Sequence, residues 1–164
     1  MGKKIFIIIF LFVILILVVA VAVVNWPKFQ ATLYVDPQTI SQPVGQDFTI
    51  GINVSNIGDL FGWQLRLKWN ATVLDAINIT EGSFLKQGVE TLFVSKTNNT
   101  AGYIIIDCTL LGELSGVSGS GQLATIKFHV KTGGACYLDL YDTILLSSSE
   151  QTITYTVRDG YFST

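Results

Sequence analysis

Phe61-Gly62-Trp63-Gln64-Leu65-Arg66-Leu67-Lys68-Trp69-Asn70 alternates large apolar residues with small or polar ones without a break. Period two sends successive side chains to opposite faces of a strand, where a helix would need a period of 3.6. One face of this segment carries Trp63, Leu65, Leu67 and Trp69, and the other carries Gln64, Arg66 and Lys68. The tryptophans share their phase with leucines, so they belong to a core and not to an exposed stacking platform. The same alternation recurs in Phe48-Ile50-Ile52-Val54, in Ala124-Ile126-Phe128-Val130 and in Ile153-Tyr155-Val157. Less regular apolar runs at 31–35, 73–79, 90–95, 103–110 and 136–146 bring the expectation to about nine strands. Turn-forming clusters separate them: Gln42 to Gly45, Asn56 to Asp59, Glu81-Gly82, Thr97 to Gly102, Gly112 to Gly121 and Gly133-Gly134. The Gly/Ser-rich stretch Gly112 to Gly121 reads as a mobile loop between strands. Beyond residue 24 no helical period persists, so two facing antiparallel sheets with polar outer faces are expected.

The N-terminus is a different object. Ile5 to Val24 contains no polar side chain, and a 20-residue helix of that kind spans roughly 30 Å, the thickness of a bilayer core. Lys3 and Lys4 precede it and Asn25-Trp26-Pro27 follows, which predicts a cytoplasmic N-terminus, an interfacial tryptophan and a helix stop. A cleaved signal peptide with a small-x-small site at Ala20-Val21-Ala22 is the alternative; the run is long for a signal. Either way the rest of the chain is expected outside the cytoplasm. The organisation that follows is 1–25 as anchor, 26–30 as juxtamembrane linker and 31–164 as one β-sandwich domain. Without the first 24 residues the chain is about 43% apolar, ordinary for a single soluble core. With Lys3 and Lys4 set aside, the remaining basic residues face 12 acids, a net charge of about −4 that excludes a nucleic-acid footprint.

Export agrees with four Asn-x-Ser/Thr sequons, at Asn53, Asn70, Asn78 and Asn98. Cys108 and Cys136 are a possible disulfide in an oxidising compartment, or two buried thiols. Catalytic patterns are thin. The one histidine, His129, lies between Lys127 and Lys131 on a polar strand face, and no nucleophile elbow, paired-carboxylate cleft or calcium loop is present in the sequence. No enzyme, cofactor or metal site is expected.

Three stretches carry a resemblance. Val44-Gly-Gln-Asp-Phe-Thr-Ile-Gly-Ile-Asn-Val-Ser-Asn56 looks like a glycine-acid turn and second strand. Leu60 to Leu74 looks like a third strand and the turn into the fourth. Gly119-Ser-Gly-Gln-Leu-Ala-Thr-Ile-Lys-Phe-His-Val-Lys131 looks like a Gly-x-Leu-Ala-x-Ile-x-Phe-x-Val strand. In that order and spacing, Ala31 to Tyr161 resembles a cohesin domain of the kind found on archaeal surface proteins. The resemblance implies an all-β, nine-stranded jelly-roll sandwich, here preceded by a single N-terminal transmembrane helix. It implies a non-catalytic module, of a carbohydrate-binding superfamily, that docks a partner protein such as a calcium-bound dockerin. It places the contact on the sheet of the third, fifth, sixth and eighth strands, hence on Gln64, Arg66 and Lys68, with Tyr103, Ile105 and Asp107 as the outward phase of the sixth. The sequence departs from the bacterial pattern after the third strand, where Trp69-Asn70-Ala71 stands in place of an aromatic followed by Asp-Pro. A filament or surface-layer subunit and a carbohydrate-binding module are the alternative functions.

Overall fold

The computed structural model describes residues 30–164 except Gly88, Glu113 and Leu114. The expected membrane segment, residues 5–24, lies outside the described residues, among which no helix is long and apolar enough to cross a membrane. Ten strands run in chain order: β1 (Ala31–Asp36), β2 (Thr39–Ser41), β3 (Asp47–Lys68), β4 (Leu74–Glu81), β5 (Thr91–Asn98), β6 (Tyr103–Leu110), β7 (Val117–Val130), β8 (Ala135–Ser147), β9 (Tyr155–Arg158) and β10 (Gly160–Ser163). The fold class is all-β as expected, with ten strands where about nine were expected.

The 22-residue β3 organises the molecule. Its first half pairs with β7 and β1, and its second half pairs with β6 and β8. The back sheet is therefore β4-β7-β3-β1-β9, and the front sheet is β5-β6-β3-β8-β10-β2. Between the halves the β3–β7 register shifts twice, at Val54/Ile57 and Ile57/Leu60. Asn56 (φ 54°) and Asp59 (φ 53°) take the left-handed conformation there, which Asn and Asp tolerate better than other non-glycine residues. Asn56 to Asp59 was expected to be a turn that ends a strand. It is instead a bulged passage from one sheet to the other.

The Gly/Ser-rich stretch is also corrected by this passage. Strand β7 begins at Val117, so much of the expected loop is strand. The hydroxyls of Ser118 and Ser120 accept hydrogen bonds from the Asp59 and Asn56 backbone N–H groups, at 2.8 and 3.0 Å. Asp59 Oδ1 accepts from the Gly116 N–H at 2.8 Å, and Oδ2 accepts from the Ser148 hydroxyl, also at 2.8 Å. Short hydroxyl side chains there satisfy backbone groups that the bulges leave outside the ladder.

The core lies between the sheets. Phe48 of β3 stacks on Phe128 of β7 and on Phe162 of β10, with ring centroids 5.5 and 5.0 Å apart. Trp69 meets Phe128 edge-on at 5.2 Å, and its Nε1 donates to the Leu74 carbonyl at 2.9 Å. Trp63 packs edge-on against Phe93. Both tryptophans are 4% exposed, as their shared phase with the leucines requires.

Candidate functional site

The outer face of the front sheet is built from four cross-strand rungs. The strand order is β5, β6, β3, β8, and the rungs read Leu92-Thr109-Gly62-Leu146, Val94-Asp107-Gln64-Ile144, Lys96-Ile105-Arg66-Tyr141 and Asn98-Tyr103-Lys68-Asp139. Every residue singled out from the sequence as a contact residue stands on this face. In β6, Tyr103, Ile105 and Asp107 are half-buried and outward, while Ile104, Ile106 and Cys108 are buried. Gln64 and Arg66 are half-buried and Lys68 is exposed. The flanking strands supply residues that phase arguments did not single out.

Polarity falls along the rungs. At the Lys68 end they carry charge and amide groups. At the Gly62 end leucine, valine and isoleucine occupy the outer positions of the rungs, and Gly62 itself contributes no side chain. A concavity of about 610 Å³ opens there, lined by Phe61, Gly62, Leu92, Val94, Ile144 and Leu146, with Asp107 and Glu150 among its polar lining residues. Leu92, Val94 and Ile144 are 54, 51 and 41% exposed. Grouped apolar exposure of this kind is the ordinary mark of an interaction surface, whereas scattered apolar residues are not. Space at Gly62 is close: a Cβ there would lie 3.3 Å from the Thr109 hydroxyl, so Thr109 would have to yield slightly to admit one.

Midway along the face, Arg66 Nη1 pairs with Asp142 Oδ2 at 2.9 Å. Asp142 sits at φ 46°, where the β3–β8 register shifts between Gln64 and Arg66. The ion pair ties this bulge to the centre of the face. Among the described residues, Arg66 Nε and Trp63 Nε1 are buried without a hydrogen-bond partner.

Behind the face, Glu81 Oε1 accepts from the Thr91 hydroxyl at 2.6 Å and from the Cys108 thiol at 3.5 Å, and Oε2 pairs with Lys86 at 3.0 Å. Burial raises the Glu81 carboxyl, but the Thr91, Lys86 and Cys108 hydrogen bonds outweigh it and leave the group below its ordinary value. Burial, reinforced by that carboxylate, pushes the Cys108 thiol up to about 12. Burial also raises Cys136.

Both cysteines are free, against the possible disulfide. Cys108 stands opposite Trp63, and Cys136 lies beyond Asp139, the partner of Lys68 at the far end of β3. At about 3.3 Å per strand residue they are roughly 20 Å or more apart, well beyond disulfide reach.

Residues 33–160 match the family model for the cohesin domain. The chain belongs to the cohesin family. Its fold is similar to that of a non-cellulosomal cohesin from the hyperthermophilic archaeon Archaeoglobus fulgidus, with a TM-score of 0.67 at 20% identity, covering 82% of this chain and 90% of that one. A type II cohesin domain from the cellulosome of Acetivibrio cellulolyticus gives 0.69 at 20% identity, over 83% and 95%. A type I cohesin–dockerin complex from Clostridium thermocellum gives 0.70 at 10% identity, over 84% and 95%. At these identities the likeness is one of fold. No curated protein sequence matches the chain.

Proposed function

We propose that this cohesin is a non-catalytic docking module, tethered to a membrane through residues 5–24 with its N-terminus cytoplasmic and its sandwich outside, and that it holds a dockerin-type protein on the outer face of the front sheet. The observation that carries this reading is the apolar concavity at the Gly62 end of the four rungs, with Leu92, Val94 and Ile144 exposed around it. A partner helix laying apolar side chains into the hollow would remove them from water at about 25 cal/mol per Å². Arg66, Lys68 and Asp139 would then set register and orientation from the polar end, which is the usual division of labour in an interface. Related cohesins have been solved with dockerins bound, including the sixth cohesin of Acetivibrio cellulolyticus scaffoldin B with a Cel5 dockerin.

The test uses the full chain in lipid nanodiscs, with calcium-loaded type I and type II dockerins as probes. Calcium-dependent retention that Ile144→Asp weakens tenfold or more, and that Lys127→Ala leaves intact, is the expected result. Failure to retain either dockerin type, or binding indifferent to Ile144→Asp, counts against the proposal. Protease protection of the reconstituted chain checks the topology separately.

A further inference from the structure

We propose that Asn70 is an N-glycosylation site and that the exposed tyrosines Tyr137 and Tyr161 form the surface on which its first sugars rest. This rests on the extracytoplasmic placement proposed above and goes beyond it.

The four sequons are not equivalent in the fold. Asn53 is half-buried on β3 and flanked by Tyr34 of β1 on one side and Gln122 of β7 on the other, inside the back sheet. Asn98 is half-buried, and its Oδ1 accepts from the Ala101 N–H at 3.0 Å to hold the β5–β6 turn. Asn78 is exposed on β4, but the hydroxyl of its sequon threonine, Thr80, is engaged with Thr125. Asn70 is exposed just past the end of β3. Its Oδ1 accepts from both the Thr72 N–H at 3.0 Å and the Thr72 hydroxyl at 2.8 Å. Among the described residues this is the one sequon whose hydroxyl closes on its own asparagine, and Nδ2, the atom a sugar must take, keeps no partner.

The turn that presents Asn70 is fixed from several sides. The Trp69 N–H donates to Gly102 O at 2.9 Å, the Thr132 hydroxyl to Thr72 O at 2.7 Å and Lys131 Nζ to Ala71 O at 2.8 Å. Gly102 itself (φ 70°) must be glycine, because a Cβ there would stand 2.5 Å from the Trp69 carbonyl. The β3–β8 ladder ends at Lys68–Asp139, with Asn70 two residues after Lys68 and Tyr137 two residues before Asp139, so in this antiparallel pair both stand at the same end of the front sheet.

Tyr137 is 68% exposed and pairs across β8 and β10 with Tyr161, 38% exposed, their ring centroids 5.3 Å apart at 64°. A phenol so exposed adds little to the core. Its ring presents a polarised face of the kind that takes the C–H edges of a pyranose, with the hydroxyl left for sugar oxygens. Two such rings beside a free sequon amide are a matched pair of features. In the transfer itself, Asn70 Nδ2 forms a bond to the anomeric carbon of a lipid-phosphate-linked oligosaccharide and loses a proton. The bond from that carbon to the phosphate oxygen breaks, and the lipid phosphate leaves with the electron pair.

The test expresses the full chain, with one reporter sequon appended after Thr164, in a host that N-glycosylates exported proteins. Glycopeptide mass spectrometry is expected to find the glycan on Asn70, and Thr72→Ala and Asn70→Gln to remove it. Nitration by tetranitromethane is expected to be several-fold slower at Tyr137 in the glycosylated chain than in the Thr72→Ala form. A glycosylated reporter beside bare Asn70 overturns the proposal, and equal nitration rates overturn the tyrosine platform. A bare reporter together with a bare Asn70 overturns the extracytoplasmic placement and this proposal with it.

Discussion

The two outer faces of the sandwich share the strand β3 and solve the same solvation problem in opposite ways. On the back face polar groups satisfy one another. Asp47 Oδ1 lies 2.7 Å from His129 Nδ1 and its Oδ2 lies 2.9 Å from Lys127, Lys131 reaches Asp75 at 3.1 Å, and paired threonine hydroxyls bridge Thr32 to Thr156 and Thr80 to Thr125. The front face has the Arg66–Asp142 pair and further charged and amide groups toward Lys68, but at its Gly62 end it exposes valine, leucine and isoleucine around a hollow. A face whose groups already satisfy one another gains little from a partner. A face that leaves apolar surface in water gains by covering it.

Four measurements can break or sharpen that contrast. The largest effect belongs to the layer both faces share: Phe128→Ala removes the ring that meets Phe48 and Trp69, and should cost about 3–5 kcal/mol in denaturant unfolding. A loss below about 1 kcal/mol would mean the sheets are not held through this stack. Next comes Ile144→Asp. Its affinity for a docked partner should fall at least tenfold, about 1.4 kcal/mol, while its unfolding midpoint moves less than it does for Phe128→Ala, because the Ile144 side chain is already 41% exposed. Third, Lys131→Met on the back face should change stability by less than about 1 kcal/mol, as partly exposed ion pairs do, and leave partner binding untouched. Reduced binding in that variant would show that the back face is not inert.

The smallest effect is a matter of pH. The hydrogen bonds from His129 and Lys127 hold the Asp47 carboxyl below its ordinary value, and the Ser148 hydroxyl and Gly116 N–H do the same for Asp59. A carboxyl lowered by folding adds stability above its unfolded pKa of about 3.9 and loses it as pH falls through the folded value. Melting curves should therefore be flat with respect to Asp47 at neutral pH and fall below about pH 4. Asp47→Asn should flatten that acid limb, and an unchanged limb would show that the cluster is not coupled to folding.

Much of this was legible in the sequence because burial on one face of a strand writes itself as period two. The phase of Trp63 and Trp69 followed from that rule alone, whereas the outward phase of Tyr103, Ile105 and Asp107 was chosen for its aromatic and its acid within the cohesin resemblance, because both phases of that strand are largely apolar. Asn56 to Asp59 misled because the residues that favour a turn also favour a bulge, and which one forms depends on Ser118 and Ser120, about sixty residues away. The Gly/Ser stretch was misread for the same reason, since its hydroxyls serve a distant strand. Leu92 and Val94 stayed hidden because Leu92-Phe93-Val94 is continuously apolar, and only the pairing with β6 shows that Phe93 turns inward. Tyr137 and Tyr161 meet across two strands and leave no local signature.

The passage of β3 through both sheets also decides how the molecule bears load. A pull from a bound partner enters the front sheet and runs along the covalent backbone of β3 into the back sheet. There β3 is joined to β1 from Thr32–Ser55 to Asp36–Gly51, and β1 is joined in parallel to β9. Because Thr32 faces Ser55, the point from which β3 leaves for the front sheet, opposing pulls on the N-terminal end of β1 and on the front sheet meet at one end of the β1–β3 ladder and open it one hydrogen bond at a time. The parallel β1–β9 ladder, from Ala31–Tyr155 to Tyr34–Arg158, is loaded from opposite ends instead, because β9 runs on into β10 of the front sheet, so the resistance of the domain to such a pull lies in four residue pairs and not in the long β3 ladder.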